Sequence, residues 1–288
     1  MTNTRSVLVT GASTGIGHAI ATDLAMAGIR VFGSVRSQQD ADALVAATPT
    51  GAPTIIPVLL DVQDTASVRA AADTIEQQLG TDGLWGLVNN AGISVASPLE
   101  YIPEDAFQLQ MDVNLTGVLR CVQAFLPLLK RTSGRVVNIS SISGRVAFPM
   151  IGAYATSKYA LEGLSDALRL ELGVHGMEVS VVQPGSIATP IWERSRARAT
   201  ELLTQVPEHG ITEYRQMIDQ AVGTTENHGE EAGDPQLVAN VVRHALTAKR
   251  PRTRYQVGKD AKILLFLRRW LLSDRRLDKL IRRNLGLH

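Results

Sequence analysis

Six short apolar runs limit most severely what this chain can fold into: Val7–Thr10, Val31–Ser34, Ile55–Leu60, Leu84–Asn89, Arg135–Ile139 and Glu178–Val182. Longer, helix-length segments lie between them, such as Gly15–Ala27, Thr65–Leu79, Leu115–Lys130 and Tyr154–Leu172. A strand that is apolar on successive residues has both faces buried, which is the mark of a parallel sheet covered by helices on each side. Right-handed crossovers then give a doubly wound α/β sheet of Rossmann type, a three-layer α/β/α sandwich. Such sheets bind ligands outside the carboxyl ends of their strands, and every unusual motif in this sequence falls at one of those ends.

The 288 residues are expected to form a single domain of this kind, 1–288. The charged stretch 186–233 contains His209, Gly210 and an NHGEEAG turn, and it is expected to be an irregular, mobile insertion over the site. Asp234–Ala248 follows as a helix with Asp234 at its N-cap and Pro235 at its first position. A basic amphipathic extension closes the chain at about 259–288. The net charge of +1 gives no electrostatic case for a nucleic-acid partner. Cys121 is the one cysteine, which excludes an intrachain disulfide and reads as a small buried hydrophobe. With neither a signal-like leader nor a stretch of spanning length, the cytoplasm is the expected location, and Asn114 and Asn138 carry no glycosylation meaning.

The first strand runs into TGASTGIG, which sets Gly11, Gly15 and Gly17 around Ser13, Thr14 and Ile16 at a strand-to-helix turn. Glycine there permits a tight turn and close approach to a pyrophosphate, and the helix start offers free N–H groups and a positive dipole end. The spacing departs from Gly-x-Gly-x-x-Gly, and a plain structural turn would use the same residue types. The second strand ends in Val35-Arg36, where an acid would accept a ribose 2′-hydroxyl and a cation would suit a 2′-phosphate. This favours NADP(H), with NAD(H) as the alternative. Thr14 and His18 supply no second cation, Asp40 lies close, and Arg36 could equally be a solvated surface residue. Asp61-Val62, Asn89-Asn90-Ala91-Gly92 and Pro184-Gly185 end later strands, where such residues also serve as ordinary turns.

Tyr154 and Lys158 stand one helical turn apart and share a face. A phenol titrates near 10, and an ammonium fixed beside it is expected to lower that value into the range of a general acid/base. Ser141, upstream, could hold a substrate oxygen together with the phenol. Alone, such a pair is an ordinary feature of helix surfaces.

Together, TGASTGIG, LDV, NNAG, Asn114, Ser141, Tyr154-x-x-x-Lys158 and PGSIATP resemble the short-chain dehydrogenase/reductase family in order and spacing over about the first 190 residues. The resemblance implies Tyr154 as proton donor and acceptor, Lys158 tuning it and holding the nicotinamide ribose, Ser141 orienting the substrate oxygen and Asn114 anchoring a water. It further implies that Asn90 and Asp61 line the cofactor and that Ile187 and Thr189 meet the nicotinamide amide. No set of His, Cys or Asp has metal-ligand spacing, so alcohol–ketone chemistry without a metal is expected. GLWGLVNNAGI, SKYALEGLSDALRLEL and HALTAKRPRTRYQVGKDAK are similar to the retinol and 17β-hydroxysteroid dehydrogenase branch, which implies a bulky lipophilic substrate. Val95, Phe148, Met150, Ile151, Ile191 and Trp192 flank the motifs and could line such a site or simply pack beneath the loops. Reduction of a 3-oxoacyl thioester and a catalytically silent dinucleotide sensor are the competing readings. The family habit of pairing helices about a two-fold axis implies a homodimer or homotetramer. The basic tail admits peripheral contact with a membrane, or packing over the pocket or a neighbouring subunit.

Overall fold

The computed structural model describes residues 5–48 and 50–287, with side chains except at 222–231. The expected sheet is present. Strands β1 (Ser6–Val9), β2 (Arg30–Val35), β3 (Ile56–Leu59), β4 (Gly86–Asn89), β5 (Arg135–Ile139), β6 (Glu178–Pro184) and β7 (Arg254–Val257) lie in the order β3-β2-β1-β4-β5-β6-β7. All six pairings are parallel. The chain reverses its direction of winding between β1 and β4, which opens a crevice beyond their carboxyl ends.

Side chains leave each strand alternately, so the sheet has two cores. Val7, Val9, Val31, Val88 and Val182 face one layer, built on α1 (Gly15–Met26) and α9 (Pro235–Thr247) through Ile20, Leu24, Val238, Val242 and Leu246. Leu8, Phe32, Leu87, Val136 and Val179 face the other. There α3 (Thr65–Leu79), α5 (Gly117–Lys130) and α6 (Gly152–Gly173) bring Ile75, Phe125 and Leu161. At about 1.5–3 kcal/mol for each large side chain fully buried, these two layers are the main source of the fold's stability. The remaining helices are α2 (Gln38–Ala46), α4 (Glu104–Met111), α7 (Ile191–Leu203), α8 (Glu208–Glu231), α10 (Lys259–Trp270) and α11 (Asp274–Asn284).

One sequence expectation needs correction, and two elements were not anticipated. The stretch 186–233 is mostly helical: α7 and α8 occupy it, and α8 runs through most of NHGEEAG to Glu231. Pro190 and Pro207 stand at the N-caps, and Glu193, Arg194 and Glu201 of α7 are exposed, Arg196 and Arg198 half-buried, and only Ser195 and Leu202 buried. Polar composition is as compatible with a solvated helix as with a loop. The strand β7 follows a Pro-Arg-Thr turn and has four residues, too short for an alternation to register. Before α5, the chain makes a π-helical turn over Asp112–Thr116, a widening that hydrophobic spacing does not announce.

Candidate active site

The loops after β1, β2 and β4 are laced together. Thr10 Oγ1 accepts from the Asn90 and Ala91 N–H groups (2.9 and 3.0 Å), and Asn90 Nδ2 donates to the Thr10 and Gly11 carbonyls (2.9 and 3.1 Å). Ser34, on β2, accepts from Gly11 N through its hydroxyl and from Ala12 N through its carbonyl. Gly11 has φ +66°, and a Cβ at Gly17 would collide with the Gly11 carbonyl and the Asn90 amide. The glycines are thus what lets the turn close over α1. Thr14 at the N-cap makes no side-chain cap bond, and no acid sits in the first turn. Unclaimed N–H groups and a bare positive dipole end fit the pyrophosphate of a dinucleotide. Ser13, Thr14, Gly15 and Ile16 are half-buried along this edge, and the Thr189 methyl lies over Gly15.

Arg36 is exposed at the end of β2 and belongs to no ion pair among the described residues, while the Asp40 carboxylate is engaged by the Ser37 hydroxyl. After β3, Asp61 Oδ1 accepts from Gln63 N, and the Val62 carbonyl accepts from Arg120. Gly92 packs on Asn114 Oδ1. Beyond β6, Gly185 N donates to the Val257 carbonyl, and the Asp260 carboxylate accepts from Ser186 N at 2.8 Å. Ile187 is buried and bridges to Gly233, so the two ends of the α7–α8 excursion are pinned together.

Asn114 lies in the π-helical turn with both of its amide protons committed. Its Oδ1 accepts from Ile93 N, and its Nδ2 donates to the Ile93 carbonyl and to Ser157 Oγ (3.1 Å). Ser157 in turn donates to the Tyr154 carbonyl (2.7 Å), which ties the start of α6 to the π turn. Ser141 caps a short 3-10 turn, Ile142–Gly144, by accepting from Ser143 N. Lys158 is 5% exposed; its Nζ donates to the Ile139 carbonyl (2.8 Å) and stands 5.6 Å from the Tyr154 ring centre. Tyr154, Lys158, Ser141 and Asn114 therefore converge at the carboxyl ends of β4 and β5.

The electrostatics differ from the sequence expectation. Burial raises the Tyr154 phenol above its usual value, and a hydrogen bond with Ser141 pulls it partly back. Burial lowers Lys158 to about 8, opposed by the Glu162 carboxylate. An ammonium was expected to dominate the phenol; in the protein alone, loss of water does.

Among the apolar flanking residues, Phe148, Ile151 and Trp192 are half-buried, and Trp192 Nε1 donates to the Ile187 carbonyl. Met150 is buried at a left-handed φ of +68° and Ile191 is half-buried at the start of α7. Val95 is fully buried with Ala106 and Leu202 beneath α7, in packing rather than at an open wall. Sequence reading did not pick out Ser157, Glu162, Gln183 or Arg254; of these only Ser157 and Glu162 carried a signal, by their spacing from Tyr154 and Lys158.

A doubly wound sheet with a glycine cradle, a paired tyrosine and lysine, and an apolar flank defines a dinucleotide-dependent oxidoreductase of alcohols and ketones. The chain belongs to the short-chain dehydrogenase family, whose model matches residues 5–200, and its cofactor is a nicotinamide dinucleotide. It is 38% identical to human retinol dehydrogenase 16 over 272 residues, 90% of this chain and 82% of the relative. Identity to human 17-beta-hydroxysteroid dehydrogenase type 6 is 36%, over 89% and 81% of the two chains. A short-chain dehydrogenase from Streptomyces avermitilis superposes with a TM-score of 0.75 at 28% identity, covering 99% and 96%.

Proposed function

We propose that this enzyme interconverts a secondary alcohol and a ketone on a bulky lipophilic substrate, with Tyr154 exchanging the proton. The observation that carries the reading is the convergence of Tyr154, Ser141 and the buried Lys158 ammonium beside the glycine cradle. The bound nicotinamide supplies or accepts the hydride. The phenol gives its proton to the carbonyl oxygen in reduction and recovers it in oxidation. Ser141 orients that oxygen, Lys158 stabilises the phenolate and holds the nicotinamide ribose, and Asn114, with the π turn, anchors a water behind Lys158.

The relatives' names support a lipophilic substrate of retinoid or steroid type, and the half-buried Phe148, Ile151 and Trp192 provide apolar surface for it. We place Gly11, Gly15 and Gly17 on the pyrophosphate, Asp61, Val62, Asn90, Ala91 and Gly92 beside the rest of the dinucleotide, and Pro184, Gly185, Ile187 and Thr189 near the nicotinamide. Arg36, exposed and outside any ion pair among the described residues, supports NADP(H) over NAD(H). Thioester reduction and a silent sensor are not favoured, since the relatives are alcohol dehydrogenases by name and Ser141, Tyr154 and Lys158 are all present.

The outer face of α10 supports peripheral contact with a lipid surface: Ile263, Phe266 and Trp270 are 61, 56 and 65% exposed. Over 259–288 nine Lys and Arg stand against three Asp, a charge suited to anionic lipid and self-repelling between two copies. Among the described residues no helix is long and apolar enough to cross a membrane. The family habit supports a homodimer or homotetramer through α5 and α6.

Tyr154→Phe is expected to lose at least about a hundredfold in kcat, the usual scale for a general acid/base, with near-normal dinucleotide binding. Substantial remaining turnover would remove Tyr154 from its role. Fluorescence titration with NADPH and NADH tests Arg36, and tighter NADH binding reverses the preference.

A further inference from the structure

Lys158 begins a run of alternating charges that leaves the site along one face of α6. Lys158, Glu162 and Asp166 are spaced at four residues and lie one above another. Glu162 is 3% exposed, and two elements grip it: Oε1 accepts from Gln183 Nε2 on β6, and Oε2 from Arg254 Nε on β7, each at 2.8 Å. Arg254 also donates to Asp166 (2.8 Å), which pairs with Arg169. The run holds three cations and two anions, with Lys158 at its inner end and Arg169 at its outer end.

A buried carboxylate of purely structural use would need only Arg254, but Glu162 also has close relations with the site. A Cβ on Gly144 would come within 3.1 Å of both Glu162 Cγ and the Lys158 carbonyl, and within 2.7 Å of Ser140 Oγ. The turn that carries Ser141 is therefore seated on the very turn of α6 that joins Lys158 to Glu162. The hydrogen-bond partner of the Lys158 ammonium is the uncharged Ile139 carbonyl. Among the described residues the ionisable groups that face Lys158 are Tyr154 and Glu162 of α6, with Arg254 of β7 standing behind Glu162. Glu162 is the near negative charge that opposes the penalty of burying Lys158.

We propose that Glu162, locked by Gln183 and Arg254, is a positioning residue that keeps Lys158 protonated and aimed at Tyr154. This rests on the roles given to Tyr154 and Lys158 above. It also draws β7, which lies beyond the stretch matched by the family model, into the working of the site.

The test compares Glu162→Gln with Glu162→Asp. In Glu162→Gln the alkaline limb of the kcat profile moves down by about one pH unit, since Lys158 has lost its counter-charge. Glu162→Asp keeps the limb near wild type even though its shorter side chain lowers the melting temperature. If Glu162→Gln fails to fold, the double variant Glu162→Gln/Arg254→Gln removes both charges and shifts the limb in the same direction. An unmoved limb, or the same shift in Glu162→Asp, overturns the role of Glu162. Full turnover by Tyr154→Phe would overturn the site reading itself, whereas an inactive Tyr154→Phe with an unmoved limb removes Glu162 only.

Discussion

Lys158 shows how this fold accepts instability for chemistry. Its ammonium is nearly waterless, and its proton affinity falls from the ordinary 10.5 to about 8. A lysine whose folded value is depressed costs stability whenever both states are protonated, which is the case below pH 8. Between pH 8 and 10.5 the folded state releases its proton first, so the unfolded state binds more protons and stability rises with pH. Lys158→Met is therefore expected to be more stable than wild type at pH 7 by roughly 2 kcal/mol. That figure is about 3 from the shift less about 1 for the lost bond to Ile139. The variant should be nearly inactive, and the gap should close toward pH 10; denaturant melts at several pH values check it. Had the lysine been placed for stability, the variant would melt lower at pH 7. Tyr154 and Lys158 were legible as a pair because one helical turn separates them, but which effect governs the phenol was not, since burial depends on the packing of β5 and α6.

At the level of elements, α9 was readable from its cap and β7 was not, and the difference is physical. Asp234 accepts from Gln236 N at 2.8 Å, Pro235 fills the first position, and the apolar period brings Val238, Val242 and Leu246 into the core against α1. Asp234→Ala is expected to cost about 1 kcal/mol. In a domain of this size that is about 2–4 °C in melting temperature, measurable by calorimetry, with cofactor affinity unchanged. Runs of Val and Ile likewise marked the first six strands, because a strand buried on both faces writes itself into composition. β7 reads Arg-Tyr-Gln-Val at the sheet's edge, and its Arg254 takes its meaning from Glu162, 92 residues earlier. The helices α7 and α8 show the reverse failure, in which a solvated helix has the composition of a loop. The site's cradle was legible in its glycines, whereas its stitching through Thr10, Ser34 and Ser157 rests on hydroxyls that look like any others in the sequence.

At the scale of the whole molecule, the chain packs its own tail against the sheet's carboxyl-end loops. Leu265 of α10 and Leu277 of α11 are buried with Val146, and Phe148 packs against the same cluster, so the inner face of the tail covers the loop between β5 and α6. The packing expected of an amphipathic tail is met on that face, while Ile263, Phe266, Trp270 and Leu271 leave the opposite face apolar and exposed. Two apolar faces on one helix call for different tests. Leu265→Ala or Leu277→Ala opens space in a sealed cluster and should cost about 2–5 kcal/mol, with a lowered melting temperature and impaired turnover of bulky ketones. Phe266→Ser/Trp270→Ser touches only the outer face and should leave melting and turnover of a water-soluble ketone unchanged. Its binding to phosphatidylserine-containing vesicles should fall steeply in flotation, and wild-type binding should weaken with added salt as screening cuts the attraction of the basic residues. Vesicle binding that survives the double substitution would move the contact elsewhere. A shift from dimer to monomer in that variant would assign the face to a second copy instead.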